Sequence, residues 1–308
     1  MSAFIKETIH FTSHEEKTQI AGYFYTPAEG EPRALIQLSH GMCEYVCRYE
    51  PMFEVLCRAG FAVCGNDHLG HGSSGADHFG FFAEKKGWEC VLQDLYVMNT
   101  LGHKKYPGIP CFLLGHSMGS FFARWYGEKY RDTIDGLIIS GTGGPSPMMP
   151  VGKALSGFLS KVKGPDRVSK LMVSLSTGSY GKHYGEDDPN CWLTRDREIW
   201  GKYNDDPRCS FCFTSSAYHD MLTAHVHVNS KKWASALDPN LPILIYSGED
   251  DPVGDFGKGV RKVDEMLRAA GVKDVTLHLY PGARHEMHHE TNKEEMFADL
   301  IGWIEAHI

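Results

Sequence analysis

The sequence predicts an α/β protein, with a mostly parallel central sheet flanked by helices and one helical insertion. Three features carry that prediction. Short continuous apolar runs, among them Ala34–Ser39, Cys111–Leu114, Leu137–Ser140 and Leu241–Tyr246, read as strands buried on both faces. Stretches with helical spacing separate these runs, and strand–helix alternation is the pattern of a parallel sheet covered by helices. The alternation stops between about Gly143 and Trp233, a segment rich in Met, Trp, Phe and Tyr that has helical patches and no convincing buried strand. Residues 1–142 and 234–308 are therefore expected to form the core, and residues 143–233 an inserted helical cap.

Along the chain, Ile5–Phe11 and Ile20–Tyr25 carry β-branched and aromatic residues around a polar turn, which predicts an antiparallel hairpin at a sheet edge. Ala34–Ser39 ends in the glycine-bearing loop His40-Gly41-Met42. A short helix over Phe53–Ala59 is stopped by Gly60, and the strand Phe61–Cys64 runs into the glycine-rich loop Asn66–Ser73. A helix from about Trp88 to Leu101 presents Val91, Leu92, Leu95 and Met98 on one face. Within the cap, Val151, Ala154, Leu155, Phe158, Leu159 and Val162 form a helical stripe with Lys153, Lys161 and Lys163 off it. Burial of the stripe against the rest of the cap is its expected fate, and a transient contact with a membrane surface is the alternative. Met148, Met149, Phe158, Met172, Trp192 and Trp200 are candidates for an apolar acyl tunnel, the alternative being packing within the cap. On that view, deleting Pro147–Ser230 weakens acyl-chain selection more than it harms hydrolysis of short esters. A helix over Tyr218–Val228 leads back to the sheet. The strand to Ser247, the helix Val260–Ala270, the strand Val275–Tyr280 and the helix Glu294–His307 complete the chain.

Composition narrows the function. A chain of 308 residues can bury a large core. Its net charge of −8 and pI near 6.1 offer no basic face, so nucleic acid is excluded as a partner. Mean hydropathy is −0.32, and no run approaches the ~18 apolar residues of a membrane span. The first twelve residues lack the cationic and apolar regions of a secretion signal. Nine scattered cysteines suit a reducing compartment, so a cytoplasmic location is expected. Cys209-Ser-Phe-Cys212 lacks the second pair that zinc needs and reads as buried packing cysteines. Neither His285, His288 and His289, which fall in a loop, nor His68 with His71 offers the H-E-x-x-H pattern on a helix, and carboxylates nearby are few, so neither a metal nor another cofactor is expected. No feature sets an oligomeric state.

The chemistry points to Gly115-His116-Ser117-Met118-Gly119, a G-x-S-x-G frame between an apolar run and a helical run in which Phe121, Phe122, Trp125 and Tyr126 recur. So sharp a strand-to-helix corner strains its middle residue, and the two glycines make room for it. The hydroxyl of Ser117 then projects from the C-terminal edge of the sheet, and the helix start brings the Met118 N–H to a developing oxyanion. A serine needs a base, and the base needs a carboxylate to orient it. Two later loops at strand ends supply candidates: Glu249, Asp250, Asp251 and Asp255 in one, His285 in the other.

The chain resembles the α/β-hydrolase fold, and more closely its monoacylglycerol lipase and lysophospholipase branch. Carriers of the resemblance are His40-Gly-Met-Cys-Glu44-Tyr-Val-Cys-Arg48-Tyr49-Glu50, the Asp67–Ser73 loop, Gly115–Gly119, Gly248-Glu-Asp-Asp251 and Gly282-Ala-Arg-His285. The order serine, acid, histidine is also that of this fold. Tyr45 departs from the branch, which usually has histidine there. The resemblance selects Asp251 over Asp250, implies an oxyanion hole from the N–H groups of Met42 and Met118, and matches Glu44, Arg48 and His288 to a polar glycerol pocket. Glu44 and Arg48 are also spaced to pair across one helical turn, which would make them scaffold. The expected activity is hydrolysis of acyl esters, of the monoacylglycerol or lysophospholipid type, through an acyl-enzyme on Ser117 with His285 and Asp251. Alternatives are a prolyl-aminopeptidase-type peptidase and a non-catalytic binding protein on the same scaffold. The base is expected to titrate near ~6.5.

Overall fold

The computed structural model describes residues 2–75 and 78–308. Met1, Ala76 and Asp77, which fall in the range read as core, lie outside them. Strands β1 (Phe4–Thr12) and β2 (Gln19–Pro27) form the edge hairpin, paired from Phe4 opposite Pro27 to Thr12 opposite Gln19. Then β3 (Ala34–Ser39), α1 (Glu50–Arg58), β4 (Phe61–Asn66), α2 (Gly87–Lys105), β5 (Cys111–His116), α3 (Met118–Lys129) and β6 (Gly136–Ser140) alternate as the apolar runs predict. Between β6 and the next strand lie α4 (Met148–Lys163), α5 (Lys170–Ser176), α6 (Arg197–Asp205), α7 (Ser215–Val228) and α8 (Lys231–Ala236), the last of which crosses the boundary expected at residue 233. The sheet resumes with β7 (Ile243–Gly248), α9 (Lys258–Ala269), β8 (Val275–Tyr280) and α10 (Lys293–Glu305).

The eight strands lie in the order β1-β2-β4-β3-β5-β6-β7-β8. Strand β2 joins β4 antiparallel, and every pairing from β4 to β8 is parallel. Side chains alternate across the sheet, so Leu113 enters one core with Phe122, Val91 and Ile245. Its neighbours Phe112 and Leu114 enter the other with Phe53, Ile138 and Leu300. Parallel strands bring their C-terminal ends to one edge, where the loops after β3, β5, β7 and β8 converge.

The cap departs from expectation in how α4 packs. Of the predicted stripe only Leu159 is buried and Leu155 half-buried, while Val151, Ala154, Phe158 and Val162 are exposed. The face that meets α7 is the small-residue face. A Cβ on Gly152 would lie 3.3 Å from Leu222 Cδ1, one on Gly157 would lie 2.8 Å from His219 Nδ1, and Ser156 is fully buried. Small side chains let the helix backbones approach closely, and the large apolar ones are turned outward. Helix α7 in turn reaches the core: the Asp220 carboxylate lies against the start of α2, where a Cβ on Gly87 would come 2.5 Å from its Oδ2 and the N-cap Lys86 gives no side-chain bond. No helix among the described residues is long and apolar enough to cross a membrane.

Candidate active site

Ser117 sits between β5 and α3 with φ 53° and ψ −121°, a conformation costing roughly 1–3 kcal/mol that the surroundings must enforce. A Cβ on Gly119 would come 2.0 Å from the Ser39 carbonyl oxygen, and one on Gly115 would come 2.5 Å from Ala123 Cβ. No side chain fits at either position, which is why the G-x-S-x-G frame is needed at this corner. The Ser117 N–H donates to the Ser140 carbonyl at 2.9 Å and ties the corner to β6. Met118 opens α3, so its N–H has no partner within the helix.

The loop after β3 carries Met42. Among the described residues neither its N–H nor that of Met118 donates to a protein acceptor, leaving both free for an oxyanion. Glu44 shapes this loop: its carboxylate accepts the Gly41 N–H and, at 2.6 Å, the Tyr49 hydroxyl. Burial raises the Glu44 pKa, and Arg48 opposes the rise.

His285 Nδ1–H donates to Asp251 Oδ2 at 2.9 Å, with both side chains almost wholly buried. Asp251 is held in turn by the Val253 N–H at 2.8 Å and the Ser247 hydroxyl at 3.2 Å, whereas Asp250 is exposed. Burial alone would lower the His285 pKa, but the Asp251 charge and hydrogen bond outweigh it and hold the pKa above its usual value. The expected value near ~6.5 is thus corrected upward, because a buried carboxylate stabilises the imidazolium.

Ser117 and His285 line one cavity of about 500 Å³, together with Met42, Met118, Glu44 and Glu286. Its remaining wall is mostly apolar and comes largely from the cap. Met148, Met149, Met172 and Trp192 of the predicted tunnel residues are in it. Phe158 faces outward instead, and Trp200 is buried behind the wall with its Nε1–H donating to Thr194 O at 2.6 Å.

Of the three residues matched to a glycerol pocket, Glu44 lines the cavity, and Arg48 and His288 do not. Arg48 is turned toward Glu44 and Glu286, with N–O distances of 3.0 and 2.7 Å. The His288 ring stacks on Tyr49 at 4.0 Å, and its buried Nε2 has no partner. Ligand atoms of Glu286, His288 and His289 lie within 4.8 Å of one another, but this set does not suit a metal. The Arg48 guanidinium already holds the cation's place on Glu286, and both ring nitrogens of His289 are engaged, by Glu286 and the Arg48 carbonyl. His68 and His71 each engage one ring nitrogen, with the Ser39 hydroxyl and the Leu69 carbonyl, and leave His68 Nδ1 and His71 Nε2 without a partner. Tyr45 reaches the cap, where its hydroxyl donates to Asp206 at 2.7 Å and Arg208 lies 4.0 Å over its ring. All nine cysteines are free. Cys209 is buried, but Cys212 is exposed, because adjacent residues of an extended segment point oppositely and Phe213 takes the inward place.

Comparison with known proteins accords with this geometry. The family described as serine aminopeptidase, S33 (Hydrolase_4) matches residues 30–292. The chain belongs to that family. It has the α/β-hydrolase fold and is similar to monoacylglycerol lipases along nearly its whole length. It is 26% identical to a monoacylglycerol lipase of Mycolicibacterium smegmatis over 92% of each chain. It is 27% identical to a human monoglyceride lipase over 91% of this chain and 85% of that one. A thermostable carboxyl esterase from Bacillus coagulans, solved in complex with glycerol, superposes with a TM-score of 0.92 at 27% identity, covering 98% of both chains.

In this family member one set of site residues escapes the motifs. Segment Cys191–Arg195 of the cap is stitched to the loop that carries His285. The His285 N–H donates to the Trp192 carbonyl at 3.4 Å, the Glu286 N–H to the Leu193 carbonyl at 2.6 Å, and Arg284 Nη1 to the Cys191 carbonyl at 2.6 Å. Thr194 Oγ1 donates to the His289 carbonyl at 2.9 Å. Arg195 binds the fully buried Glu290 through its backbone N–H at 3.0 Å and its Nε at 2.7 Å. Most of these bonds use backbone groups, which every residue has, so no residue type announces them. The one sequence signal is the density of charge in Arg195, Arg284, Glu286 and Glu290.

Proposed function

We propose that this protein hydrolyses esters of long acyl chains with a small hydroxylated alcohol, of the monoacylglycerol kind, through an acyl-enzyme on Ser117. The observation that carries the reading is one apolar cavity reached by both a strained serine and a histidine bonded to a buried carboxylate. His285 Nε2 takes the Ser117 proton as Oγ attacks the ester carbonyl, and the tetrahedral oxyanion faces the N–H groups of Met42 and Met118. Collapse breaks the ester C–O bond, and the imidazolium protonates the leaving alcohol. Water, activated by the same imidazole, then hydrolyses the acyl-enzyme. Asp251 keeps the tautomer and supports the imidazolium. No metal or cofactor is used.

The alcohol side is proposed to lie against Glu44 and Glu286. Among the described residues no Lys or Arg lines the cavity, so a phosphodiester headgroup meets two carboxylates and no counter-charge, whereas free hydroxyls can donate to them. That favours a monoacylglycerol over a lysophospholipid, as do the names of the relatives from Mycolicibacterium smegmatis and human. The aminopeptidase reading draws on the family's description and on the same carboxylates as partners for an amine. Arg48 already balances their charge, so they offer acceptors to a hydroxyl but little net attraction to an ammonium, and the apolar bulk of the cavity suits an acyl chain better. A substrate panel decides. Monoacylglycerols are expected to exceed lysophospholipids, aminoacyl arylamides are expected to be inert, and Ser117→Ala is expected to abolish turnover and fluorophosphonate labelling. Turnover dominated by arylamides, or surviving in Ser117→Ala, would overturn the reading.

Residues 143–233 act, on this proposal, as a cap whose outer face rests transiently on a lipid surface. Phe158, Val162 and Leu171 are each more than half exposed, with Lys161, Lys163, Arg167 and Lys170 exposed beside them, and the equally exposed Met148, Val151 and Leu175 line the cavity. Nine free thiols support a reducing compartment, and we propose the cytoplasm.

A further inference from the structure

Arg48 lies outside the cavity, yet its guanidinium touches both loops on which the chemistry depends. Nη1 donates to Glu44 Oε2 at 3.0 Å and to Glu286 Oε1 at 2.7 Å, and Nη2 donates to Glu286 Oε2 at 2.9 Å. The three side chains are no more than 9% exposed, so water does not compete for these bonds. Glu44 holds the Gly41 N–H, one residue before Met42. Glu286 directly follows His285. Tyr49 and His289 close the flanks, donating to Glu44 at 2.6 Å and to Glu286 at 2.8 Å.

We propose that Arg48 is a positioning residue that fixes the oxyanion loop relative to the base loop through Glu44 and Glu286. The proposal rests on the triad reading above. A tetrahedral intermediate must fit between the Met42 N–H and the His285 imidazole, and a misplacement of about 1 Å across such a gap costs on the order of 10²-fold in rate. A planar guanidinium sets that spacing because its donors leave in fixed directions and meet carboxylates in a fork. A lysine ammonium carries the same charge without the geometry. Glu44 also restrains its loop through Gly41, and Glu286 restrains its loop through the Leu193 carbonyl, so each loop is rigid up to the contact with Arg48.

The test measures Arg48→Lys, Glu44→Gln, Glu286→Gln and the double variant Glu44→Gln/Glu286→Gln on an aryl ester and on a monoacylglycerol, with thermal unfolding of each. Arg48→Lys is expected to lower kcat about tenfold or more on both substrates, with KM nearly unchanged. Because both glutamates act through one guanidinium, the double variant is expected to lose little more than the worse single one. The groups facing His285 are Asp251, Glu286, Glu44 and the His116 imidazole. Removing the Glu286 charge leaves less to stabilise the imidazolium, so in Glu286→Gln the acidic limb of the rate profile is expected at lower pH. A rise in KM for the monoacylglycerol alone would make Arg48 a substrate-binding residue and overturn the proposal. Additive losses from the two glutamates, or a folded Arg48→Lys with unchanged kcat, would overturn it too. If Arg48→Lys does not fold, additivity in the glutamate pair decides. Turnover in Ser117→Ala would instead mark failure of the triad reading.

Discussion

The two halves of the cap meet the rest of the molecule in opposite ways. Helices α4 and α5 turn large apolar side chains such as Phe158, Val162 and Leu171 outward, and α4 packs inward through glycines and Ser156. Segment Cys191–Phe213 buries Trp192, Trp200, Cys209 and Phe213, and its backbone carbonyls accept the N–H groups of His285 and Glu286. One half can exchange its outer surroundings without disturbing Ser117, His285 and Asp251, and the other is part of the wall that holds His285. Insertion into a fold is therefore no measure of independence from it.

The largest expected effect comes from breaking the second half. Deleting Pro147–Ser230 is expected to abolish turnover of short aryl esters as well as long ones, in contrast to the sequence expectation of a loss that falls more on chain selection than on short-ester hydrolysis. The deletion removes the acceptors that place His285. A finer probe is Glu290→Ala, which strips a buried carboxylate from the N–H groups of Arg284 and Arg195 and from Arg195 Nε. Unfolding measurements are expected to show a loss of about 3 kcal/mol, with reduced kcat on aryl esters in the folded fraction. Retention of full short-ester activity by either variant would make the two halves alike.

Next in size is the pH dependence of the site that the second half supports. On the proposed function His285 acts when neutral, and Asp251 holds its pKa above the usual value, so the imidazolium persists to higher pH. Aryl-ester kcat/KM is expected to rise with pH through a midpoint above ~6.5, the ordinary histidine value. A midpoint at or below that value would show that the carboxylate does not govern the base.

The smallest effect on stability is expected on the first half, where the effect on lipid is largest. Phe158→Ser with Val162→Ser removes exposed apolar surface, and unfolding free energy is expected to stay within about 0.5 kcal/mol. Binding to vesicles and turnover of emulsified long-chain substrate are expected to fall several-fold, with soluble short esters unaffected. Equal binding of variant and parent to vesicles would remove the distinction between the halves.

Much of the candidate site was legible because its chemistry needs particular residue types at fixed spacing. Gly115 and Gly119 flank Ser117 since a Cβ at either place collides with Ala123 or the Ser39 carbonyl. Asp251 was separable from Asp250 only by resemblance, and the structure adds the reason: one is buried against His285 and the other is exposed. The outward stripe of α4 was misjudged because periodicity tells which residues share a face but not whether that face is covered.

By itself the sequence determined the succession of strands along the chain and the sharp strand-to-helix corner with Ser117 at it, since local geometry dictates these and local residue types record it. Tertiary structure alone decided three things. It turned Phe158 outward, because the small face of α4 fits α7 more closely. It took Arg48 and His288 out of the cavity and put Glu286 into it, because the fork of Arg48 is spent on two carboxylates from loops far apart in sequence. And it made the cap a support for His285 through backbone carbonyls, which any residue supplies and no sequence pattern marks.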